Sequence, residues 1–308
     1  MIIVTAGNKY LDIDAYASGI AYSVLLNSLG KESVFATSAK LNMSICSLIK
    51  DLGYKVVTNY KPKSDDKFII VDLSNPEFFD KIVDSNNIIE VIDHHTGFER
   101  YWKDQNCKNQ IEFIGSVATI IYEKFVENNK TNLLDSNLCK LLVSAILDNT
   151  LNLKSSITTK RDIVAYKQLK KLGALDKSFD DEYFTSCQQA INEDVVGSVK
   201  NDVKIEKVSS LLPNVFGQLT IYNKEPIFQK LNEISSLFND YNEPWLLNII
   251  CIKDGKSYIY SSDSIAKNNL EQLFDFKFDG DILTLPKFML RKEIMKMARN
   301  KIYEKEDV

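Results

Sequence analysis

The chain of 308 residues has two histidines, and they stand side by side as His94-His95. Chance alone would place two histidines together about once in 150 such chains. They follow Asp93, which ends the stretch Ile88 to Ile92, apolar but for Glu90, read as another buried strand. Asp72 likewise follows the run Phe68-Ile69-Ile70-Val71, and Gly7-Asn8-Lys9-Tyr10-Leu11-Asp12-Ile13-Asp14 follows Ile2-Ile3-Val4. Carboxylates and imidazole delivered from three strand ends form the donor set of a hard-to-borderline divalent cation. Taken singly, each has a plainer reading. Asp12 or Asp14 would serve as a helix N-cap, Asp72 would cap a helix beginning at Pro76, and the histidines would be a satisfied structural pair. Their convergence carries the metal reading.

The elements that position these groups read as alternating strands and helices. Strands are expected at Ile2–Val4, Ser33–Ala36, Tyr54–Thr58, Phe68–Val71, Ile88–Ile92 and Ile111–Ile114. Helical spacing covers Ala15–Leu29, Leu41–Leu52 and Val117–Val126, with Gly30 and Gly53 as C-terminal stops. That alternation predicts an α/β fold with a doubly wound, mostly parallel sheet, whose ligands bind beyond the carboxyl ends of the strands. From Asp135 to Asn192 the chain reads as nearly all helix, broken by the polar 149–159 segment. The texture then changes. Strands at Val203–Ile205, Gly217–Ile221, Trp245–Ile252 and Ser257–Tyr260 interleave with helices at Ile227–Phe238 and Ile265–Leu270, before a basic helix over Lys287–Lys301. We expect two domains, 1–192 and 203–308, joined by a linker at 193–202.

Lys and Arg number 38 against 42 Asp and Glu, a net charge of −4, which excludes a broadly basic protein that wraps long nucleic acid. No apolar run approaches the ~18–20 residues of a membrane span. The N-terminus lacks a basic leader and reads as a strand rather than a signal peptide. Cys46, Cys107, Cys139, Cys187 and Cys251 are scattered and odd in number, so a reducing cytoplasm is expected rather than a disulfide framework or zinc site.

Asp93-His94-His95 after a strand, with Gly7-Asn8-x-x-x-Asp12-x-Asp14 and Asp72, resembles the DHH phosphoesterase superfamily. Ile146-Leu147-Asp148-Asn149-Thr150, with Lys154-Ser155 and Thr158-Thr159, is similar to that family's fourth motif. Leu285-Pro286-Lys287-Phe288-Met289-Leu290-Arg291-Lys292 resembles the Ser-Arg-Lys motif of its DHHA2 branch, which holds the family II inorganic pyrophosphatases and the exopolyphosphatase- and prune-like proteins. The resemblance covers nearly the whole chain. It implies an N-terminal DHH domain, a smaller C-terminal α/β DHHA2 domain and an active site in the cleft between them.

It also implies two divalent ions, Mn²⁺ or Mg²⁺. Asp12 and Asp72 would bind one ion, and Asp14, Asp72 and His94 the other. Asn8, and Asn149 or Asp148, would be weaker ligands. His95 would face the substrate or leaving group while Asp93 orients both histidines. Arg291, Lys292 and Lys204 would bind phosphate oxygens of a small phosphate substrate. The sequence departs from the pyrophosphatases in carrying Asn8 for His, Asn149 for Asp, Leu290 for Ser and Ala15 for Ser. Gly-Asn at positions 7 and 8 matches the exopolyphosphatase-like side. The expected activity is therefore exopolyphosphatase-like hydrolysis of inorganic polyphosphate or pyrophosphate by water activated at two metals. The alternatives are a manganese-dependent pyrophosphatase, a short-nucleotide phosphodiesterase, and a weakened phosphate-binding regulator. The nucleotide-cleaving branches usually carry a glycine-rich C-terminal motif that this chain lacks.

Overall fold

The computed structural model describes residues 1–105 and 107–306, and the chain divides into two compact units, Met1–Tyr183 and Phe184 onward. The first holds strands β1 (Ile2–Thr5), β2 (Ser33–Phe35), β3 (Lys67–Val71), β4 (Ile88–Asp93) and β5 (Lys108–Ile111), in the order β2-β1-β3-β4-β5. Every pairing in this sheet is parallel. The order reverses direction between β1 and β3, which makes the carboxyl ends of those strands the ligand-binding crevice of a doubly wound sheet. Asp12 and Asp72 follow those two strands.

Strand alternation explains how the sheet is held. Ile3, Phe68, Ile70 and Val91 point to one face, where Phe79 and Trp102 cover them, and their neighbours point to the other. Burying each of these side chains contributes about 1.5–3 kcal/mol. Helices α1 (Ile13–Ser28) and α2 (Val117–Glu127) lie against the sheet. Helices α3 (Ser136–Asn149) and α4 (Lys160–Leu172) pack on them in turn.

Four expectations need correction. The helix expected over 41–52 is reduced to Ser47–Lys50. Asn42 Oδ1 accepts from the Ser44 amide (2.8 Å), and Ser44 Oγ accepts from Ile13 N (2.9 Å), so this stretch is a side-chain-stapled turn against the start of α1. Residues 54–58 supply only a single bridge, Val57 to Ala36, and form no strand. The last strand of the sheet is Lys108–Ile111, ending where Ile111–Ile114 was expected to begin. The expected linker at 193–202 is largely helix α6 (Val195–Asn201), because Asp194 Oδ1 caps it through Gly197 N at 2.8 Å. The unit division falls earlier, within helix α5 (Phe179–Glu193).

The second unit has a mixed sheet of β6 (Val203–Ile205), β7 (Val215–Ile221), β8 (Trp245–Cys251), β9 (Lys256–Tyr260) and β10 (Ile282–Leu285), in the order β10-β9-β8-β7-β6. Strands β7 and β8 pair in parallel and their neighbours antiparallel. Leu246, Ile259 and Leu283 pack beneath helices α8 (Ser264–Phe274) and α9 (Arg291–Glu306), which follow α7 (Leu231–Asn239) in the chain. Strand β10, Ile282–Leu285, was not read in the sequence.

One junction in the first unit fixes the start of α2. Gly115 N donates to Asp162 Oδ2 (2.9 Å), and Asp162 also accepts from Thr119 Oγ1 (2.7 Å) and Thr159 N (2.8 Å). A Cβ at Gly115 would stand 2.6 Å from Thr150 Cγ2 and 2.7 Å from Asp162 Oδ2. Gly115→Ala is therefore expected to lower stability by about 1–3 kcal/mol through forced overpacking. Urea unfolding measures this directly, and an unchanged midpoint would show that the junction yields without cost.

Candidate metal centre

Asp72 leaves β3 in the left-handed backbone region, with φ of 60°, a conformation that costs a side-chain-bearing residue about 1–2 kcal/mol. It does not cap the turn beginning at Pro76, since Asn75 does that through Glu77 N at 3.1 Å. Instead its backbone N donates to Ile92 O (2.8 Å), and its buried Oδ1, with no hydrogen-bond partner, lies 3.3 Å from His94 Nε2. His94 Nδ1 is 3.1 Å from Ile114 O. A carbonyl can only accept, so Nδ1 carries the proton and Nε2 presents a bare lone pair. Burial, and then the neighbouring His95, push the His94 pKa down to about 4, so the ring is neutral at physiological pH. Two electron-rich atoms thus face each other in a buried place. That arrangement fits a bound cation and would otherwise be costly.

Asp93 is fully buried and organises the pair from behind. Its Oδ1 accepts from His94 N (2.7 Å), His95 N (3.1 Å) and His95 Nδ1 (2.9 Å). Burial alone would raise its pKa, but the hydrogen bonds and charge of His95 outweigh it and leave the carboxyl below its ordinary value. His95 is 61% exposed, with Nε2 on the side of the ring away from Asp93. Ser74 and Trp102, which the sequence did not single out, brace the two loops. Ser74 Oγ donates to His95 O (3.1 Å), and Trp102 Nε1 donates to Ser74 O (2.7 Å).

Asp12 serves both readings at once. Its Oδ1 caps α1 through Ala15 N (3.0 Å), while the residue lines an open pocket of about 170 Å³ with Asn8 and Asp72. Asp14 is placed differently from expectation. It has no exposure, and its Oδ1 accepts from Ser116 Oγ (2.9 Å) and Ala118 N (2.9 Å) at the N-terminus of α2. Its Oδ2 accepts from Val117 N (2.8 Å) and from the Asn149 side-chain amide. The helix start and Asn149 therefore already satisfy both oxygens. Asp148 turns the other way, its Oδ1 accepting from Tyr183 OH at 3.0 Å. The turn carrying this motif is strained, with Leu151, Asn152 and Leu153 all at φ between 50° and 60°.

The charges repel. Burial, then Asp12, raise the Asp14 pKa to about 7, even against the hydrogen bonds from α2. Asp72 is pushed well above the usual carboxylate range by burial, Asp12, Asp14 and Asp93, in that order. Asp148 reaches about 7, from burial and from Asp12 beyond the lowering by Tyr183. Mutual elevation of this kind is what close, buried carboxylates show when no cation lies between them. Among the described residues, Asp72, Asp93, His94 and His95 bring ligand atoms within 4.8 Å of one another.

In the second unit, Arg291 opens α9 but is 7% exposed. Its Nη2 pairs with Asp202 Oδ1 (2.9 Å), and its guanidinium lies over Phe216 at 5.3 Å. Lys204, on β6, is exposed, and Lys292 follows Arg291 at the start of α9. Gln218, unremarked in the sequence, fixes the turn by accepting from Arg291 N at 2.7 Å.

In metal-free protein the folded form holds protons on Asp14 and Asp148 up to about pH 7, whereas the unfolded carboxyls release theirs near 3.8. Folding thus binds protons across that window, and stability falls as pH rises through it. Protein stripped with chelator is expected to melt at a higher temperature at about pH 5 than at about pH 8. Added Mn²⁺ should stabilise more at the higher pH, where it no longer competes with protons. Thermal melts at both pH values check this, and identical metal-free melting temperatures would contradict it.

Residues 2–146 match the DHH family, N-terminal domain. The chain is 26% identical over 302 residues to a "Probable manganese-dependent inorganic pyrophosphatase" of Lactobacillus acidophilus, covering 93% of this chain and 94% of that one. A protein of the same name from Clostridium acetobutylicum is 24% identical over 308 residues, with 95% of each covered. Among solved structures, a protein of Methanococcus jannaschii assigned to the family II inorganic pyrophosphatases shares the fold with a TM-score of 0.65 at 21% identity, over 97% of this chain and 99% of that one. An exopolyphosphatase-related protein of Bacteroides fragilis does so with a TM-score of 0.54 at 13% identity, over 99% and 92%. Asp12, Asp72 and the Asp93-His94-His95 triplet, which follow neighbouring strands of the parallel sheet, all lie in the part of the chain, residues 2–146, that is similar to the DHH family, N-terminal domain.

Proposed function

We propose that this protein is a metal-dependent phosphohydrolase that cleaves the phosphoanhydride bonds of pyrophosphate or inorganic polyphosphate. The observation that carries the reading is the partnerless Asp72 Oδ1 facing the lone pair of His94 Nε2 at 3.3 Å. The pyrophosphatase relatives support it along nearly the full chain. Divalent ions, Mn²⁺ or Mg²⁺, would neutralise phosphoryl charge and lower the pKa of attacking water. Asp12, Asp72 and His94 are the residues we assign to hold them, with Asn8 as a weaker neutral donor beside Asp12.

His95, anchored by Asp93 at one ring nitrogen, offers the other to the leaving phosphate oxygen as donor or acceptor. Asp14 keeps α2 in place, and it would bind an ion by exchanging the Asn149 amide for it. Asp148 stands one residue away as a second acid for that position. Lys204 and Lys292 are our candidates for binding phosphate oxygens, and Arg291 for doing so while tethered to Asp202. A His-to-Asn change at position 8 exchanges imidazole for an amide oxygen, which favours harder ions and keeps Mg²⁺ competitive. It also supports the exopolyphosphatase-like side of the reading.

Asp72→Ala and His94→Ala should each reduce release of orthophosphate from pyrophosphate and tripolyphosphate by more than about 10²-fold. Asp72→Ala should also raise the melting temperature of the metal-free protein, because it removes a carboxyl whose ionisation burial and Asp12 oppose. Phosphate-release assays with saturating Mn²⁺ or Mg²⁺, alongside thermal melts, test both statements. Near wild-type turnover in either variant would overturn the site assignment.

A further inference from the structure

The pocket that holds Asn8, Asp12 and Asp72 has a second wall that an inorganic substrate would not use. Lys9, Tyr10 and Phe78 line it, above an apolar floor of Ala6, Ala15 and Leu73. Tyr10 is 53% exposed and Phe78 42% exposed, although both rings sit beside a dense group of acids. The backbone around each is held by pairing. Asn8 N donates to Phe78 O (2.9 Å), Gly7 bridges to Phe79, and Tyr10 pairs with Lys40. Lys9 Nζ lies over the Phe78 ring, 5.4 Å from its centre.

Pyrophosphate and polyphosphate are oxygen-rich anions. The face of an aromatic ring carries the negative end of its quadrupole and gains nothing from an anionic oxygen. A planar base does gain from it, because stacking is available to every nucleobase whatever its sequence. A cation next to the ring then supplies charge for the phosphate chain that leads from the base toward the acids.

We propose that this wall recognises the nucleobase of a nucleoside polyphosphate whose phosphates enter the metal centre, so that nucleotide anhydrides are substrates of the same site. The proposal rests on the phosphohydrolase reading and narrows its substrate class. The reaction is an ordinary hydrolysis. Water's oxygen bonds to the terminal phosphorus, the bridging P–O bond breaks, orthophosphate and the shortened nucleotide leave, and water's proton passes to a leaving phosphate or to solvent.

The test compares methylenediphosphonate, a non-cleavable pyrophosphate mimic, with its adenosine ester, α,β-methylene-ADP. Binding of each to the Mn²⁺-loaded protein is measured by calorimetry for wild type, Phe78→Ala and Tyr10→Ala. The adenosine ester should bind wild type about 10-fold more tightly, and that ratio should collapse toward one in both variants. Phe78→Leu separates stacking from bulk, and it should lose the preference while keeping the fold. Equal affinity for the two ligands in wild type would overturn the proposal, as would an unchanged ratio in the variants. Failure to bind methylenediphosphonate at all, with no hydrolysis of pyrophosphate or tripolyphosphate, would instead overturn the phosphohydrolase reading.

Discussion

The structure of the first unit turns on repulsion among buried carboxylates, which without a cation is relieved only by holding protons. Asp72 is raised by burial and then by Asp12, Asp14 and Asp93, and His94, which faces its Oδ1, offers a lone pair and not a proton. In a low-dielectric place such a cluster is a liability unless a cation enters it. Much of the surrounding architecture serves to hold it together. The β1 and β3 ends converge on it, α2 turns its N-terminus onto Asp14, and Asp93 ties both histidine amides in place. The left-handed Asp72 is a further local cost, kept because β3 and β4 fix the backbone on both sides of it.

The same layout separates two kinds of acid. Asp14 and Asp162 are spent on helix starts and loop amides, where partial positive charge is already available. Asp12 and Asp72 keep an oxygen directed elsewhere. Asn149 serves the first kind, because its amide donates to Asp14 Oδ2. An amide at this position adds no charge to the cluster, and the Asp12–Asp72–His94 side is the one we propose as the cation position.

The strands and the chemistry at their ends were legible in the sequence for a simple reason. Phe68 to Val71 is an apolar run, Ile88 to Ile92 is apolar but for Glu90, and each stops on an acid, as parallel strands of a doubly wound sheet do. What the sequence did not show was direction. Nothing in Asp12-Ile13-Asp14 says that one acid faces the pocket and the other the α2 N-terminus, because that is decided by Ser116, 102 residues away along the chain. Arg291 is similar, its charge legible but its burial against Asp202 and Phe216 set by strands far upstream. The 41–52 stretch failed for a local reason, since Asn42 and Ser44 bind the backbone better than a helix would.

Diffraction at the manganese absorption edge, from crystals grown with Mn²⁺, tests the central claim most directly. The account predicts an anomalous peak in contact with both Asp72 Oδ1 and His94 Nε2, with His94 Nδ1 still donating to Ile114 O. A map with no peak between those two atoms, and with His94 turned so that a ring N–H donates to Asp72, would contradict it.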